Sequence, residues 1–550
     1  MRTCLVSKPN KALVVPRTVG MERLFPDARP LNERQLVLPH GLAEYTLLRR
    51  LGFAVPNPIN CYYDWAGGNP YHVQRVTCSL LTASPRAYVL NDMGTGKTRA
   101  TLWAWDFLRT KGHAGKLLVV AKRSTLSLVW AHECRDVLPH RPLQVLYGSK
   151  KKRLERLNDP DAEVFIINHD GMKVIQEDLN KRTDIDVLIL DELATYRNLN
   201  ARSKAMVKFS ERMKFVWGLT GSPMPNEPTD VWMQCKIITP HTVPKYRSHA
   251  RDMLMIKKND YLWFPKADAV DRAYSWMQPA VRFKLDDVVE LPETVTREIS
   301  VPLSAQQTKG YNDVKNLFVT VFQGKEVNAP NAAAAVNKLL QISGGYVYSS
   351  ANGVKSTIAL DATPRIEVLI DLIQSASRKV LVFCPFRHMV LGLSKIMSDP
   401  KTDDYVEHAV IHGDVTDAQR NKIFDAFQNT GQYKAIVAHP GCMAHGLTLT
   451  AADTIIWYCP IPNYETYEQA NARIRRIGQR HRQQIFHLQG SAVERRIYSL
   501  LSKKAAVQDM LLTLFEEATT QAQEGQPTEY NQITPRENKF PLILREQYHV

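Results

Sequence analysis

Short apolar runs at 87–90, 117–121, 164–168, 187–190 and 215–219 are each followed by polar turns and helical periodicity. Strands that helices cover on both faces read as such near-continuous apolar runs, and successive parallel strands need a helical crossover. A second series at 379–383, 409–411, 435–438, 454–458 and 485–488 repeats the arrangement. The expected fold is therefore α/β, with one parallel-sheet lobe over 71–232 and another over 351–510. Between them, 233–350 reads as helical insertion and linker: helical periodicity at 305–322 and 332–342 is broken by Pro292 and the Gly344-Gly345 pair. Residues 1–70 form an N-terminal accessory region, rich in Pro and without a phosphate or metal pattern. Residues 511–550 read as a polar, Gln- and Glu-rich tail, loosely attached. At 550 residues the chain is too long for one ordinary core.

The run Asn-Asp-Met-Gly-Thr-Gly-Lys-Thr at 91–98 follows the first strand and opens a helical pattern. Backbone N–H groups of Met93, Gly94, Thr95 and Gly96 can cradle phosphates in that setting, with Lys97 on the β/γ-phosphates and Thr98 on Mg²⁺. Asn91 stands where the usual pattern has Gly. The buried run 187–190 leads directly into Asp191 and Glu192, placing two carboxylates at the end of a strand. Asp191 is assigned to Mg²⁺ and Glu192 to the attacking water. Gln74, just before the first lobe, is placed to read the adenine edge through its amide. Far downstream, Arg473 and Arg476 lie one helical turn apart and share a face. An arginine that reaches the γ-phosphate only when a second lobe closes makes hydrolysis depend on lobe geometry. A basic amphipathic surface helix is the plainer reading of the same spacing.

Charge narrows the partner. The chain carries 71 Lys and Arg against 55 Asp and Glu, a net +16, which favours a polyanion through counterion release. Nucleic acid leads. Anionic membrane is the rival, but neither a long uncharged apolar run nor a secretory start is present in the sequence. The 8 Cys are scattered without a CxxC pair, which suits packed thiols in a reducing cytoplasm. His439, Cys442 and His445 lack a suitable fourth ligand nearby, so zinc is not expected.

These segments, in this order, resemble the Swi/Snf-like branch of the superfamily-two helicases, which are double-stranded DNA translocases. The resemblance runs from about residue 70 to about residue 505. It is carried by 92–98, by Asp191-Glu192 with Asn198 behind it, by 219–226 and by Gly413 with Arg420 and Phe427. It is carried above all by 469–479, which ends Arg-Ile-Gly-Gln, and it is supported by 290–292 and 490–494. The resemblance implies two RecA-like lobes that close on ATP while walking along duplex DNA, with helical protrusions between lobe motifs. Its short length resembles compact versions encoded by bacterial viruses, which implies a bacterial or virus-infected cell. The sequence departs from the family at Ala194, where a histidine is common, at Pro225, where glutamine is usual, and at Thr448, where asparagine is usual.

The resemblance also implies a DNA path. Lys122, Arg123 and Ser124, with Asn168, follow first-lobe strands, and His445, Gly446 and Thr448 match the second-lobe loop. His445 and Thr448 are assigned to phosphates and Gly446 to the nucleotide. Such contacts carry no sequence information. Thr220, Gly221, Ser222 and Gln469 are assigned to coupling between the nucleotide and DNA sites. The basic runs 150–153 and 247–266, the latter with Tyr261, Trp263 and Phe264, are possible extensions of the track, although charge runs usually form a solvated face. The expected function is an ATP-dependent double-stranded DNA translocase that remodels protein–DNA complexes. The alternatives are a strand-separating DNA helicase or RNA unwinder, and a nucleotide-gated DNA-binding module. A nuclease is not expected, because no unassigned region of domain size remains.

Overall fold

The computed structural model describes residues 2–259, 263–322, 329–351, 354–443 and 448–505. Its first lobe is built on a 7-stranded parallel sheet in the order Ala280–Val281, Arg86–Val89, Phe215–Leu219, Ile185–Asp191, Lys116–Ala121, Val164–Asn168, Leu143–Leu146. Alternation along the strands explains the apolar runs. Tyr88, Leu118, Val120, Leu188 and Leu190 face one helical layer, while Val89, Leu117, Val119, Val187 and Ile189 face the other. Truncating one of these, as in Leu188→Ala, costs about 2–5 kcal/mol by leaving a cavity.

The second lobe repeats the plan with 6 parallel strands in the order Thr294–Ser300, Gln483–Gln489, Ala452–Trp457, Lys379–Phe383, Ala435–Ala438, His408–Ile411. Its end is locked by a buried bidentate pair, in which Arg365 donates to Glu494 at 2.6 and 2.9 Å. The Glu494 carboxylate also accepts from the Gly490 and Ser491 backbone N–H groups, which orders the 490–494 turn.

The stretch 233–350 is shared between the lobes. The helix Asp230–Ile238 buries Val231, Trp232, Met233, Ile237 and Ile238 in the first core. Ala280–Val281 then completes the first sheet, and Thr294–Ser300 opens the second. The helices Ala305–Phe322 and Ala329–Ser343 and the hairpin Tyr346–Ala351/Val354–Ala359 follow. Ahead of the first lobe, Leu5–Ser7, Ala12–Pro16, Gln35–Pro39 and Arg29–Asn32 form an antiparallel sheet. It packs its own small core of Leu13, Val15, Phe25, Leu36, Leu38 and Leu48. Tyr261, His445, Gly446 and the tail 511–550 lie outside the described residues.

Candidate nucleotide and nucleic-acid site

The first-lobe site residues other than Gln74 all stand at the carboxyl ends of parallel strands, where an open α/β sheet holds its ligands. The strand Arg86–Val89 runs into the loop 91–96, and Lys97 begins the helix Lys97–Thr110. Gly94 and Gly96 adopt φ values of 90° and 77°, the left-handed region that only glycine enters freely. Within this loop the Lys97 ammonium is folded back, donating to Asn91 O at 2.7 Å and Asp92 O at 2.9 Å. Burial lowers its pKa, against the opposing pull of Glu192 and Asp191. Thr95 is buried and donates to Asp92 O at 2.9 Å. Thr98 sits in the first turn of the helix.

Gln74 is buried against this loop with both ends of its amide engaged. Its Oε1 accepts the Tyr71 N–H at 2.8 Å and its Nε2 donates to Gly96 O at 3.3 Å. Adenine recognition by Gln74 would require exchange of the Gly96 bond.

Asp191 ends its strand beside the loop, and Glu192 follows at φ 53°, a left-handed conformation that a non-glycine residue adopts only under constraint. Burial raises the pKa of both carboxyls. One partner of Asp191 was not visible in the sequence: the Trp130 indole donates to Asp191 Oδ2 at 2.8 Å. Trp130 is fully buried, on the π-helical turn Leu126–Ala131. Such turns recur at functional sites because they re-aim one side chain.

Across the lobe boundary, Arg473 is 1 % exposed, donates to Gln469 O at 2.7 Å and approaches Met93 Sδ at 3.8 Å. Arg476 donates to Ala472 O at 3.1 Å. A Cβ built on Gly94 would lie 3.9 Å from Arg476 Cδ. Burial, then the neighbouring Arg476, pushes the Arg473 pKa far down, and burial lowers that of Arg476 to about 10. Three cations and two carboxylates thus converge where burial disfavours every charge. A polyphosphate with a divalent cation supplies the missing counter-charges. The residues fit Mg²⁺ and ATP.

The helix Tyr464–Asn471 carries further inter-lobe contacts. Glu465 accepts from Arg197 at 3.0 Å and pairs with Lys122 at 3.6 Å. Ser222 donates to the Glu468 carboxylate, and Lys122 donates to Gln469 Oε1 at 3.3 Å. Thr220 is buried, its hydroxyl accepting the Ser222 N–H at 3.2 Å, and Gly221 lies beside Asn91 O. Lys122, Arg123, Ser124 and Asn168 line one cleft of about 630 Å³ between the lobes, opposite Gly413, Thr416 and Arg420. Thr448 is exposed on the second lobe.

The basic run at 150–153 is not one solvated face. Arg153 is buried and donates to Gly148 O and Leu146 O, capping a strand end. In the 247–266 stretch, Arg251 stacks on Trp263 at 4.1 Å, while Phe264 is exposed.

The SNF2-related domain family matches residues 78–346, and the helicase conserved C-terminal domain family matches 364–478. Protein p41 of Acyrthosiphon pisum secondary endosymbiont phage 1 is 25% identical over 480 residues, covering 80% of this chain and 98% of its own length. A Mycoplasma genitalium protein described as an uncharacterized ATP-dependent helicase is 23% identical over 452 residues, covering 78% of this chain. This chain spans only 42% of that relative. Among solved structures, the Sulfolobus solfataricus SWI2/SNF2 ATPase core in complex with dsDNA aligns at TM-score 0.37 and 19% identity, over 84% of this chain and 96% of that one. No described helix is long and apolar enough to cross a membrane. With the two family matches lying in order over the two parallel-sheet lobes, the chain belongs to the Swi/Snf-like branch of the superfamily-two helicases and is a DNA-dependent ATPase.

Proposed function

We propose that this chain is a double-stranded DNA translocase that uses ATP to move along duplex and to remodel or clear protein–DNA complexes. The observation that carries this reading is the approach of Arg473 and Arg476, from the second lobe, to the phosphate loop and carboxylates of the first. Mg²⁺ and ATP, when bound, supply the phosphoanhydride to be cleaved and the cation that neutralises it. Lys97 leaves its loop carbonyls to bind phosphate, and Thr98 and Asp191 are the residues that would hold Mg²⁺. Glu192 orients the attacking water and takes its proton. Arg473 and Arg476 stabilise the charge that develops, so chemistry is fast only in the closed arrangement.

The DNA side is assigned to the cleft lined by Lys122, Arg123, Ser124 and Asn168, with Thr448 exposed on the second lobe; the assignments of His445 to phosphate and Gly446 to nucleotide rest on the sequence alone, since both lie outside the described residues. A chain of net +16 that reads phosphates binds with little sequence preference and a steep salt response. Affinity for unrelated duplexes measured from about 50 to 200 mM salt should fall by orders of magnitude and equally for each sequence. A flat response contradicts phosphate tracking.

The reading is tested by ATPase stimulation with duplex DNA, single-stranded DNA and RNA, followed by displacement of a third strand from a triplex. Duplex should stimulate most, and the third strand should leave without separation of the duplex. Efficient unwinding of a plain tailed duplex overturns the translocase and promotes the helicase alternative.

A further inference from the structure

The connector between the lobes is zipped onto the phosphate loop. Past the edge strand Ala280–Val281, the backbone continues alongside residues 90–92: Leu90 N–H donates to Val281 O and Asp92 N–H to Phe283 O, both at 2.9 Å. Side chains of the loop complete the zip. Asn91, the residue that departs from the usual glycine, accepts the Phe283 N–H at 3.0 Å and donates to Thr77 at 3.1 Å. Asp92 accepts from Arg282 at 2.6 Å and from the Leu285 N–H at 3.1 Å. The Leu285 side chain lies over Gly94, with Cδ1 3.3 Å from where a Cβ would stand. The next residue, Asp286, accepts two bonds from Arg475 at 2.7 and 2.9 Å. Arg475 stands between Arg473 and Arg476 in the same run of the second lobe. The connector then becomes Thr294–Ser300, the edge strand of the second sheet.

We propose that the Asp286–Arg475 ion pair is a clasp through which the second lobe positions the phosphate loop, by way of Leu285, Asp92 and Asn91. The arginine run thus acts on the nucleotide site twice, at the phosphates through its neighbours and from behind the loop through Asp286. Displacing Asp286 moves Leu285 off Gly94 and strains the hydrogen bonds that fix residues 90–92. The inference rests on reading 91–98 as the phosphate loop. As an isolated surface pair, with side chains 42% and 51% exposed, Asp286–Arg475 contributes little to folding stability. A purely structural role therefore leaves nucleotide binding unmoved.

The experiment is a charge swap in the full chain, with Asp286→Arg, Arg475→Asp and the double variant, and Asp286→Asn as a neutral arm. Affinity for a fluorescent ATP analogue with Mg²⁺ is measured together with duplex-stimulated turnover, and melting curves report folding. Each single reversal should weaken analogue binding and stimulated turnover about tenfold, Asp286→Asn less, and the double swap should restore most of both. Wild-type binding in Asp286→Arg and Asp286→Asn, or a double swap no better than the single reversals, overturns the clasp. The binding arm reads the loop independently of DNA. A wild-type chain that no duplex stimulates therefore sinks the translocase reading alone, and the clasp is still decided by binding.

Discussion

The two lobes share a parallel-sheet plan, yet at the nucleotide site the first holds Lys97 and Asp191 by bonds within itself, whereas the second points Arg473 and Arg476 across the boundary. Lys97 is held by Asn91 O and Asp92 O, and Asp191 by Trp130, all within the first lobe. Arg473 and Arg476 are steadied by carbonyls of their own segment, Gln469 O and Ala472 O, and lie against Met93 and Gly94 of the other lobe. A site completed within one lobe hydrolyses whatever the other is doing. Division makes hydrolysis report relative lobe position, which is what a motor needs.

Removing what the second lobe contributes should have the largest effect on the divided site. Arg476→Ala should lower DNA-stimulated turnover by about 10³ to 10⁵ while leaving DNA binding near normal. If both Arg473→Ala and Arg476→Ala lose less than about tenfold, these arginines form a basic surface and the division is wrong. Substitutions in the first lobe should differ in kind from these and from each other. Glu192→Gln should bind ATP and slow turnover by about 10² to 10⁴, whereas Lys97→Ala should lose binding as well. Equal nucleotide affinity in Lys97→Ala and wild type removes Lys97 from the site.

A smaller effect sharpens the picture of the first lobe as self-contained. Trp130→Phe keeps an aromatic ring in the core and deletes the N–H that orients Asp191, at the cost of the space the indole filled. Partners of metal-binding carboxylates are worth about 10- to 100-fold in metal affinity. Mn²⁺ binding in the presence of nucleotide, followed by electron paramagnetic resonance, should weaken by that order, with metal-free nucleotide binding unchanged. Unaltered Mn²⁺ affinity leaves Trp130 as a packing residue only.

The sequence disclosed what each residue type states locally. Strands covered on both faces, such as Val164–Asn168, Phe215–Leu219, Lys379–Phe383 and Ala435–Ala438, begin and end where their apolar runs do. Of the edge strands, His408–Ile411 was legible as the run 409–411, but Leu143–Leu146, Ala280–Val281 and Thr294–Ser300 did not stand out, because one side lacks a neighbour and the pattern turns polar: Thr294–Ser300 exposes Thr296, Arg297, Glu298 and Ser300. The N-terminal sheet escaped for a related reason, its strands being short and interrupted by proline. In the site, the glycine loop and the paired carboxylates announce themselves by spacing. Trp130 does not, since a tryptophan in an apolar stretch reads as core and its partner lies 61 residues away. Arg282 and Glu465 are hidden in the same way, by partners that only the folded chain brings near. Arg153 shows the converse, a charge run whose last member is buried by strand-end carbonyls.

The smallest effect concerns how the lobes meet over the DNA path. Glu465 occupies two cations of the first lobe, Lys122 and Arg197, and Lys122 also lines the cleft assigned to DNA. A glutamate held against the cleft's Lys122 competes with phosphate for the same charge. Glu465→Gln retains the shape and removes the competitor, so duplex affinity should rise by no more than about fivefold, the scale of one partly exposed ion pair. The salt dependence should steepen by roughly one counterion, because Lys122 becomes free to neutralise a phosphate. Anisotropy titrations of a labelled duplex over a salt series measure both quantities. Stimulated turnover should fall in the same variant, since the helix Tyr464–Asn471 loses one of its grips on the first lobe while Arg473 and Arg476 remain. Tighter DNA binding with slower hydrolysis separates the grip on the track from the closure that drives chemistry. Weaker binding in Glu465→Gln instead means that Lys122 and Arg197 need Glu465 to hold them in place, and that the cleft is preorganised by the second lobe rather than blocked by it.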